Sequence, residues 1–206
     1  MKNQYTETDP QSLIRSSTAV ILAGGKSSRM NYYPKSHLPW QGGSFLSALS
    51  SQLTHFSRCV VSVDRKDRFE NIGETVEDRY ADCGPLSGIY SSLEAADTQL
   101  VFITACDTPL LKSELVEYLF RQWKPQYDCC IAKTGDGRIH PLCGIYKKEL
   151  APVLRQSLEQ GDRRVMRFLE QQNLHIVEIP AEMEEQLTNV NTQEIYQSLC
   201  GQSVTE

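Results

Sequence analysis

The sequence predicts an α/β fold: a single domain with a mostly parallel central sheet between two layers of helices. Short apolar runs rich in β-branched residues alternate with segments of helical period along most of the chain, as in proteins built from β–α–β units. One of these runs, Leu100–Thr104, has no polar alternation, which is typical of a strand covered on both faces. A length of 206 residues with 40% hydrophobic residues suits one such domain.

The elements follow in a regular order along the chain. The apolar runs predict strands at Ala19–Leu22, Cys59–Val63, Thr75–Glu77, Leu100–Thr104, Cys129–Ala132, Leu142–Tyr146 and Ile176–Ile179. The helical periods predict helices at Ser44–Phe56, Leu86–Ala95, Lys112–Gln122, Lys148–Gln160, Asp162–Gln171 and Thr192–Leu199. Residues 1–17 are polar and are predicted to be a flexible leader, so the predicted domain covers residues 18–206. This order predicts a Rossmann-like three-layer α/β/α sandwich.

Composition argues against several classes of protein. A net charge of −5 argues against a nucleic-acid binder, although a local cluster of cations could still bind an anionic small molecule. The seven cysteines are odd in number and contain no C-x-x-C pair, which disfavours a disulfide framework or a zinc site and suits a reducing compartment. Neither a signal peptide nor an apolar run of about 20 residues is visible. We therefore expect a cytoplasmic protein that binds neither nucleic acid nor membrane.

The first predicted strand ends in a stretch that suits phosphate binding. Gly24 and Gly25 allow positive φ angles and a close approach of the backbone, so that their N–H groups can point at phosphate oxygens. The cations that follow within a few residues are Lys26, Arg29 and Lys35. In an open parallel sheet, ligands bind outside the carboxyl ends of the strands, where this stretch is expected to lie.

Two common phosphate-binding motifs do not fit this stretch. The Walker pattern needs a glycine where Val20 stands, inside the strand. The dinucleotide pattern G-x-G-x-x-G meets Lys26 or Ser27 where it needs a second glycine. A solvated turn with lysines nearby is therefore the alternative interpretation of these residues alone.

A more specific pattern extends over most of the chain. "LAGGKSSRM" is followed by Lys35, then by "DCGPLSGI" at 82–89, "CDTP" at 106–109, "HP" at 140–141, "GDRRVMRFLE" at 161–170 and "NVNT" at 189–192. The first motif resembles the signature of the nucleotidyltransferase superfamily. The later motifs resemble its molybdopterin branch, the molybdenum cofactor guanylyltransferases, and the similarity runs from about Ala19 to Leu199.

This resemblance implies an activity. Enzymes of that branch transfer GMP from GTP to the phosphate of Mo-molybdopterin and release pyrophosphate, with Mg²⁺ as cofactor. Proteins that deliver the molybdenum cofactor and apo-molybdoenzymes are implied as partners. Two alternatives remain within the same chemistry: CTP as donor, or a sugar phosphate as acceptor. A third alternative, of a different class, is a nucleotide sensor without catalysis.

Asp107 is the candidate metal ligand and catalytic residue. It follows the most apolar strand, at the end where ligands bind, and Mg²⁺ prefers one or two carboxylates together with phosphates and water. The alternative is an aspartate that caps the following turn. The resemblance favours the metal.

The cations are the candidate triphosphate contacts. The resemblance assigns Arg29 to the phosphates and Lys35 to the nucleotide, and an ammonium beside the α-phosphate would stabilise the charge that develops there. Lys26 is either a further contact or a surface lysine.

The candidate nucleoside contacts lie at the carboxyl ends of the first three predicted strands. Backbone groups of Leu22, Ala23 and Gly24 can hydrogen-bond a base edge. Asp78 matches a nucleotide-binding aspartate of the family, and the alternatives are an ion pair with Arg79 or the capping of a turn. Ser62 departs from the asparagine that is usual in the family, so its contact to the nucleoside is expected to be weaker or replaced by Asp64.

Two late segments are candidates for acceptor binding. Arg163 and Arg164 precede the apolar positions of the predicted helix 162–171, where Arg163 and Arg167 would share one face, or would form an ordinary solvated face. Asn189 and Asn191 alternate around one residue, which places both amides on one side of an extended segment. Asn191 is the stronger candidate for a metal or phosphate contact.

Overall fold

The computed structural model describes residues 9–24, 35–66 and 72–202. Its strands are β1 (Thr18–Leu22), β2 (Pro39–Trp40), β3 (Gly43–Ser44), β4 (Arg58–Val63), β5 (Thr75–Glu77), β6 (Leu100–Ala105), β7 (Cys129–Lys133), β8 (Ile139–Lys147) and β9 (Leu174–Glu178). Seven of them form one sheet in the order β5-β4-β1-β6-β8-β7-β9. β8 runs antiparallel to both of its neighbours, and the other pairs are parallel. The predicted mostly parallel sheet is therefore confirmed.

Helices cover both faces of the sheet. They are α1 (Pro10–Arg15), α2 (Phe45–Gln52), α3 (Pro85–Ala95), α4 (Ser113–Gln122), α5 (Ala151–Glu159), α6 (Val165–Leu169) and α7 (Gln193–Gln202), and short 3-10 turns span Lys35–His37, Lys148–Leu150 and Ala181–Leu187. On β6, Phe102 belongs to the core beneath α2 and α4, whereas Ile103 belongs to the core beneath α3 and α5. Successive side chains of this central strand thus pack into separate cores on the two faces of the sheet, as expected for a three-layer sandwich.

The β2–β3 hairpin was not predicted, because two-residue strands carry no period. Its turn places Gln41 at φ 46° and Gly42 at φ 80°. Positive φ at both central positions is the type of two-residue turn that matches the twist of paired strands.

The predicted leader is wrong for the residues that the structure describes. Asp9 caps α1 by accepting hydrogen bonds from the backbone N–H groups of Gln11 and Ser12. Ile14 on this helix is only 3% exposed and packs in the core beneath α4. A single buried side chain in a short helix gives too little periodicity to be recognised in a polar segment. Residues 1–8 lie outside the described residues, and the domain start at residue 18 remains a prediction.

The predicted helix 162–171 is also shorter than expected. Asp162 accepts a hydrogen bond from the backbone N–H of Arg164, and α6 begins only at Val165. Arg163 therefore precedes the helix and does not share a helical face with Arg167, whose Nε contacts the Asp162 carboxylate at 3.2 Å.

All seven cysteines are free thiols, so the structure contains no disulfide. No helix in the described ranges combines the length and the apolar character needed to cross a bilayer.

Candidate active site

A cleft of about 770 Å³ lies at the carboxyl ends of β1, β4, β5 and β6. Its lining brings together residues from distant parts of the chain: Leu22, Ala23, Gly24, Lys35, Ser62, Asp64, Asp78, Asp82, Gly84, Pro85, Gly88, Ala105, Cys106, Asp107, Leu142, Arg163 and Asn191. The parallel strands explain this assembly, since they all end at the same edge of the sheet. Most of the predicted site residues that the structure describes therefore share one cavity.

One cluster in this cleft is built around the Asp107 carboxylate. Lys35 Nζ donates to Asp107 Oδ2 at 3.0 Å and to Asn191 Oδ1 at 2.5 Å. Asn189 Nδ2 donates to the other oxygen, Asp107 Oδ1, at 2.9 Å. The main chain joins the same residues, because the Val190 N–H donates to the Asp107 carbonyl at 2.7 Å. Both asparagine amides thus face the Asp107 side, as the alternation predicted.

The Lys35–Asp107 pair is largely enclosed but still reaches the cleft. The two side chains are 16% and 17% exposed. A charge pair at this depth is screened less by salt than a surface pair, and its charges act more strongly on a bound anion or cation. Within the described residues, the two carboxylate oxygens of Asp107 accept from side chains, and we find no cap to the following turn.

A second cluster surrounds Asp78. Burial raises the pKa of this carboxyl to about 6, while the hydrogen bond from Ser62 opposes the shift and the nearby charges of Asp64 and Glu77 add to it. Ser62 Oγ donates to Asp78 Oδ1 at 3.2 Å. The serine hydroxyl is therefore engaged by Asp78 in the position where the family usually has asparagine.

Helix α3 approaches this second cluster through a glycine. A Cβ added at Gly88 would lie 2.9 Å from Ser62 Oγ, 3.1 Å from Leu22 Cδ2 and 3.4 Å from Asp78 Oδ1. Contacts this short require neighbouring atoms to shift. Gly88 thus allows α3 to close the cleft against β1 and β4.

The end of β1 is tied to both neighbouring strands. The Ala23 N–H donates to the Ser62 carbonyl at 2.8 Å, and the Leu22 carbonyl accepts from the Cys106 N–H at 3.0 Å. A Cβ on Gly24 would lie 2.9 Å from the backbone nitrogen of Asp64. The Ala23 N–H and the Leu22 carbonyl are therefore engaged within the sheet and are less suited to contact a base than predicted. The Ala23 carbonyl and Gly24 are the better candidates.

The two arginines before α6 have different environments. Arg163 lines the cleft, and its Nη1 donates to the Asp82 carbonyl at 3.0 Å. Asp82 has a φ of 55°, unusual for a residue with a side chain, and this contact holds the loop in place. Arg164 is 68% exposed and contacts Asp162 instead. The structure therefore brings Arg163, but not Arg164, into the described cleft.

Gly25, Lys26 and Arg29 lie outside the described residues. Among the described lining residues, the carboxylates of Asp64, Asp78, Asp82 and Asp107 outnumber the cations of Lys35 and Arg163. A polyphosphate in this cleft needs additional positive charge, which a divalent cation can supply.

Two contributors to the site were not predicted from the sequence. Asp82 was quoted within a motif but received no role, and Arg138 was not considered, although it contacts Asn189. Arg138 precedes the "HP" motif by two residues, and its position near the site depends on a contact between segments 51 residues apart. No local pattern could have indicated that contact.

The sequence profile described as "MobA-like NTP transferase domain" matches residues 19–176, more than half of the chain. The chain belongs to the MobA-like NTP transferase family. This confirms the resemblance found in the sequence.

Individual MobA-like relatives agree with this assignment. The chain is 35% identical over 188 residues to a protein of Carboxydothermus hydrogenoformans named "Probable molybdenum cofactor guanylyltransferase", with 88% of this chain and 94% of that protein covered. It is 29% identical over 178 residues to the "Molybdenum cofactor guanylyltransferase" of Vibrio parahaemolyticus, with 85% and 90% covered.

A solved structure has the same fold. It is the molybdopterin-guanine dinucleotide biosynthesis protein A of Archaeoglobus fulgidus, with a TM-score of 0.76 at 20% identity, covering 90% of this chain and 99% of that one. The predicted Rossmann-like sandwich is thus the fold of this family.

Proposed function

We propose that this protein transfers GMP from GTP to the phosphate of Mo-molybdopterin, giving Mo-molybdopterin guanine dinucleotide and pyrophosphate. The observation that carries the proposal is the meeting of Lys35 and Asp107 at 3.0 Å in a cleft that Ser62 and Asp78 also line. The names of the MobA-like relatives support guanylyl transfer to the molybdenum cofactor.

The reaction is a displacement at phosphorus. An oxygen of the acceptor phosphate forms a bond to the α-phosphorus of GTP, and the bond from that phosphorus to the oxygen that bridges to the β-phosphate breaks. Pyrophosphate leaves with that bridging oxygen. Because the acceptor phosphate is already ionised at neutral pH, positioning and charge neutralisation dominate the catalysis.

Asp107 is proposed to hold Mg²⁺. Its carboxylate reaches the cleft, and each of its oxygens accepts one hydrogen bond, which leaves acceptor capacity for a metal. No group of three or more acidic, histidine or cysteine side chains suited to a metal occurs in the described ranges, so phosphate oxygens and water would complete the coordination. The ion would neutralise the triphosphate, which this cleft of four aspartates otherwise repels.

Lys35 is proposed to bind the nucleotide phosphates and to stabilise the charge at the α-phosphate. Asn191 lines the cleft and accepts from Lys35 through Oδ1, so its Nδ2 remains as a possible donor to a ligand. This orientation favours Asn191 as a phosphate contact over a metal ligand. Arg29, Lys26 and Gly25 remain the predicted contacts to the rest of the triphosphate.

The nucleoside is proposed to lie over the ends of β1, β4 and β5. Asp78 would accept hydrogen bonds from the nucleoside, while Ser62 orients the Asp78 carboxylate. Backbone groups at Ala23 and Gly24, with the apolar surface of Leu22, would contact the base.

The acceptor is proposed to bind near Arg163, with Asn189 beside the reacting phosphate and Arg164 at the periphery. A guanidinium can bind a phosphate in a fork or stack on a flat ring, so either part of a pterin phosphate suits Arg163. A cytoplasmic location is proposed with this role, and delivery proteins for the cofactor and apo-molybdoenzymes are the proposed partners.

A nucleotide comparison tests the proposal. Purified protein with Mg²⁺ and Mo-molybdopterin should release pyrophosphate from GTP at least about tenfold faster than from CTP, and the dinucleotide product should appear by mass spectrometry. Faster release from CTP would assign the protein to cytidylyl transfer. Turnover only with a sugar phosphate as acceptor would contradict the molybdopterin assignment. Binding of GTP without turnover, with a competent acceptor present, would indicate a nucleotide sensor.

A further inference from the structure

Arg138 lies outside the cleft, on a tightly bonded turn between β7 and β8. The Thr134 N–H donates to the Arg138 carbonyl at 3.0 Å, and the Arg138 N–H donates to Asp136 Oδ1 at 3.0 Å. Gly137 has a φ of 87°, a value that suits glycine, and its N–H donates to the Thr134 carbonyl. The backbone that carries Arg138 is therefore held in one conformation, although the side chain itself is exposed.

The Arg138 side chain reaches the site through one intermediate residue. Its Nη2 donates to Asn189 Oδ1 at 3.0 Å, and Asn189 Nδ2 donates to Asp107 Oδ1 at 2.9 Å. The segments that carry these three side chains are widely separated in sequence, so the chain of contacts exists only in the folded protein.

The chemistry of this chain dictates how the Asn189 amide is oriented. A guanidinium can only donate and an ionised carboxylate can only accept, so Asn189 must turn its oxygen toward Arg138 and its amino group toward Asp107. Without Arg138, the amide loses the partner that favours this orientation. A flipped amide would place an oxygen against the carboxylate, which repels it.

The orientation of Asn189 in turn restricts Asp107. One oxygen of the carboxylate accepts from Asn189 and the other accepts from Lys35, so the carboxylate plane is held from two sides. Lys35 is expected to shift toward phosphate when a nucleotide binds. Asn189 would then provide the main restraint on Asp107, at the moment when the carboxylate has to meet the metal.

We propose that Arg138 is a positioning residue of the metal site, which acts through Asn189 to orient the Asp107 carboxylate. This inference rests on the proposed function in so far as Asp107 binds the metal. Partners that hold a metal ligand typically change metal affinity by about 10–100-fold when they are removed. Arg138 itself need not touch the substrate.

Binding of Mn²⁺, a spectroscopic substitute for Mg²⁺, tests this without any turnover. Free Mn²⁺ is measured by its electron paramagnetic resonance signal during titration in the presence of GTP and the absence of acceptor. Arg138→Met should raise the apparent Kd for Mn²⁺ about tenfold or more. The matched control is Arg121→Met, an exposed arginine on α4 that pairs with Glu117, and it should bind Mn²⁺ as the wild type does.

A double-mutant cycle tests whether Arg138 acts through Asn189. In an Asn189→Ala background, Arg138→Met should have little further effect on Mn²⁺ affinity, because the intermediate is already absent. An undiminished effect in that background would overturn the route through Asn189 and would point to direct contact of Arg138 with the ligand.

A folding control and two further results of the Mn²⁺ titration complete the test. Melting of the metal-free variants checks their folding, and Arg138→Gln, whose side chain is too short to span the same gap, replaces the methionine variant if that variant melts early. Wild-type Mn²⁺ affinity in a folded Arg138 variant would overturn the inference while leaving the proposed function standing. A wild-type protein that binds no Mn²⁺ with GTP would contradict the proposed metal site itself, and the inference with it.

Discussion

Lys35 and Asp107 are 72 positions apart in the chain, yet Lys35 Nζ lies 3.0 Å from Asp107 Oδ2, at the mouth of the cleft. β6 ends beside the end of its parallel neighbour β1, and the 3-10 turn Lys35–His37 carries the lysine that meets it there. The pair therefore holds one cation and one anion side by side, and the proposed function uses both.

The first prediction concerns the Asp107 carboxylate. Asp107→Asn keeps the size of the side chain but removes the charge that a metal requires, so GMP transfer should fall by about 100-fold or more. The melting temperature should stay within a few degrees, since the side chain is not in a core. Steady-state release of pyrophosphate measures the loss. Asp97→Asn, at a carboxylate that is 90% exposed, is the control and should keep wild-type activity.

The second prediction concerns the pH dependence of stability at Asp78. Its pKa is raised to about 6 in the folded protein, against an ordinary value of 3.8, so the folded state binds the proton more tightly than the unfolded state. The contribution of Asp78 to stability is therefore present below about pH 3.8 and is lost as the pH rises to about 6. Asp78→Asn should become progressively more stable relative to the wild type between pH 4 and pH 6. Urea unfolding at several pH values measures this difference, and a constant difference would contradict the raised pKa.

The third prediction uses two glycines in helices. Gly88→Ala would force a Cβ to within 2.9 Å of Ser62 Oγ and 3.1 Å of Leu22 Cδ2, so it should reduce the free energy of unfolding by about 1–3 kcal/mol and weaken GTP binding. Gly201→Ala in α7 meets no atom within 4 Å and should be neutral or stabilising by up to about 1 kcal/mol. Urea unfolding compares the two variants. Equal effects would show that α3 does not need a close approach at Gly88.

The fourth prediction separates the two neighbouring arginines. Arg163→Met should raise KM for Mo-molybdopterin by about tenfold or more, because a hydrogen bond to a charged group contributes about 1.5–3 kcal/mol. Arg164→Met should raise it less than about threefold, since Arg164 is 68% exposed and contacts Asp162. Initial rates at saturating GTP measure both values. A larger effect at Arg164 would reverse the assignment made from the cleft.

The strands could be predicted because the residues that each strand buries are neighbours in the sequence. β6 has five buried residues in a row, and the corresponding run of apolar residues is visible in the sequence. The predicted and observed bounds of β5 are identical, and those of β1 and β4 differ by one residue at the start. The end of each parallel strand then indicates where a ligand binds, which is why Asp78 and Asp107 could be selected before their surroundings were known.

Other features of the fold depend on contacts between residues that are distant in the sequence, and no local pattern indicates them. Nothing in the residues 139–147 indicates that β8 inserts antiparallel between β6 and β7. The burial of Ile14 depends on the position of α4, which lies about a hundred residues further along the chain. The 163–167 spacing suggested a shared helical face, but the Asp162 side chain accepts a hydrogen bond from the Arg164 N–H and delays the start of the helix.

The amino-acid sequence alone was sufficient for the family, the α/β class and the candidate charges, because apolar periodicity and short motifs are properties of neighbouring residues. The tertiary structure decided which of those charges meet. It placed Lys35, Asn189 and Asn191 around Asp107, left Arg164 outside the described cleft and connected Arg138 to the site through Asn189. The physical reason is that hydrogen bonds act over about 3 Å in space, whereas the groups they join here come from strand ends and turns that only the folded sheet brings to one edge.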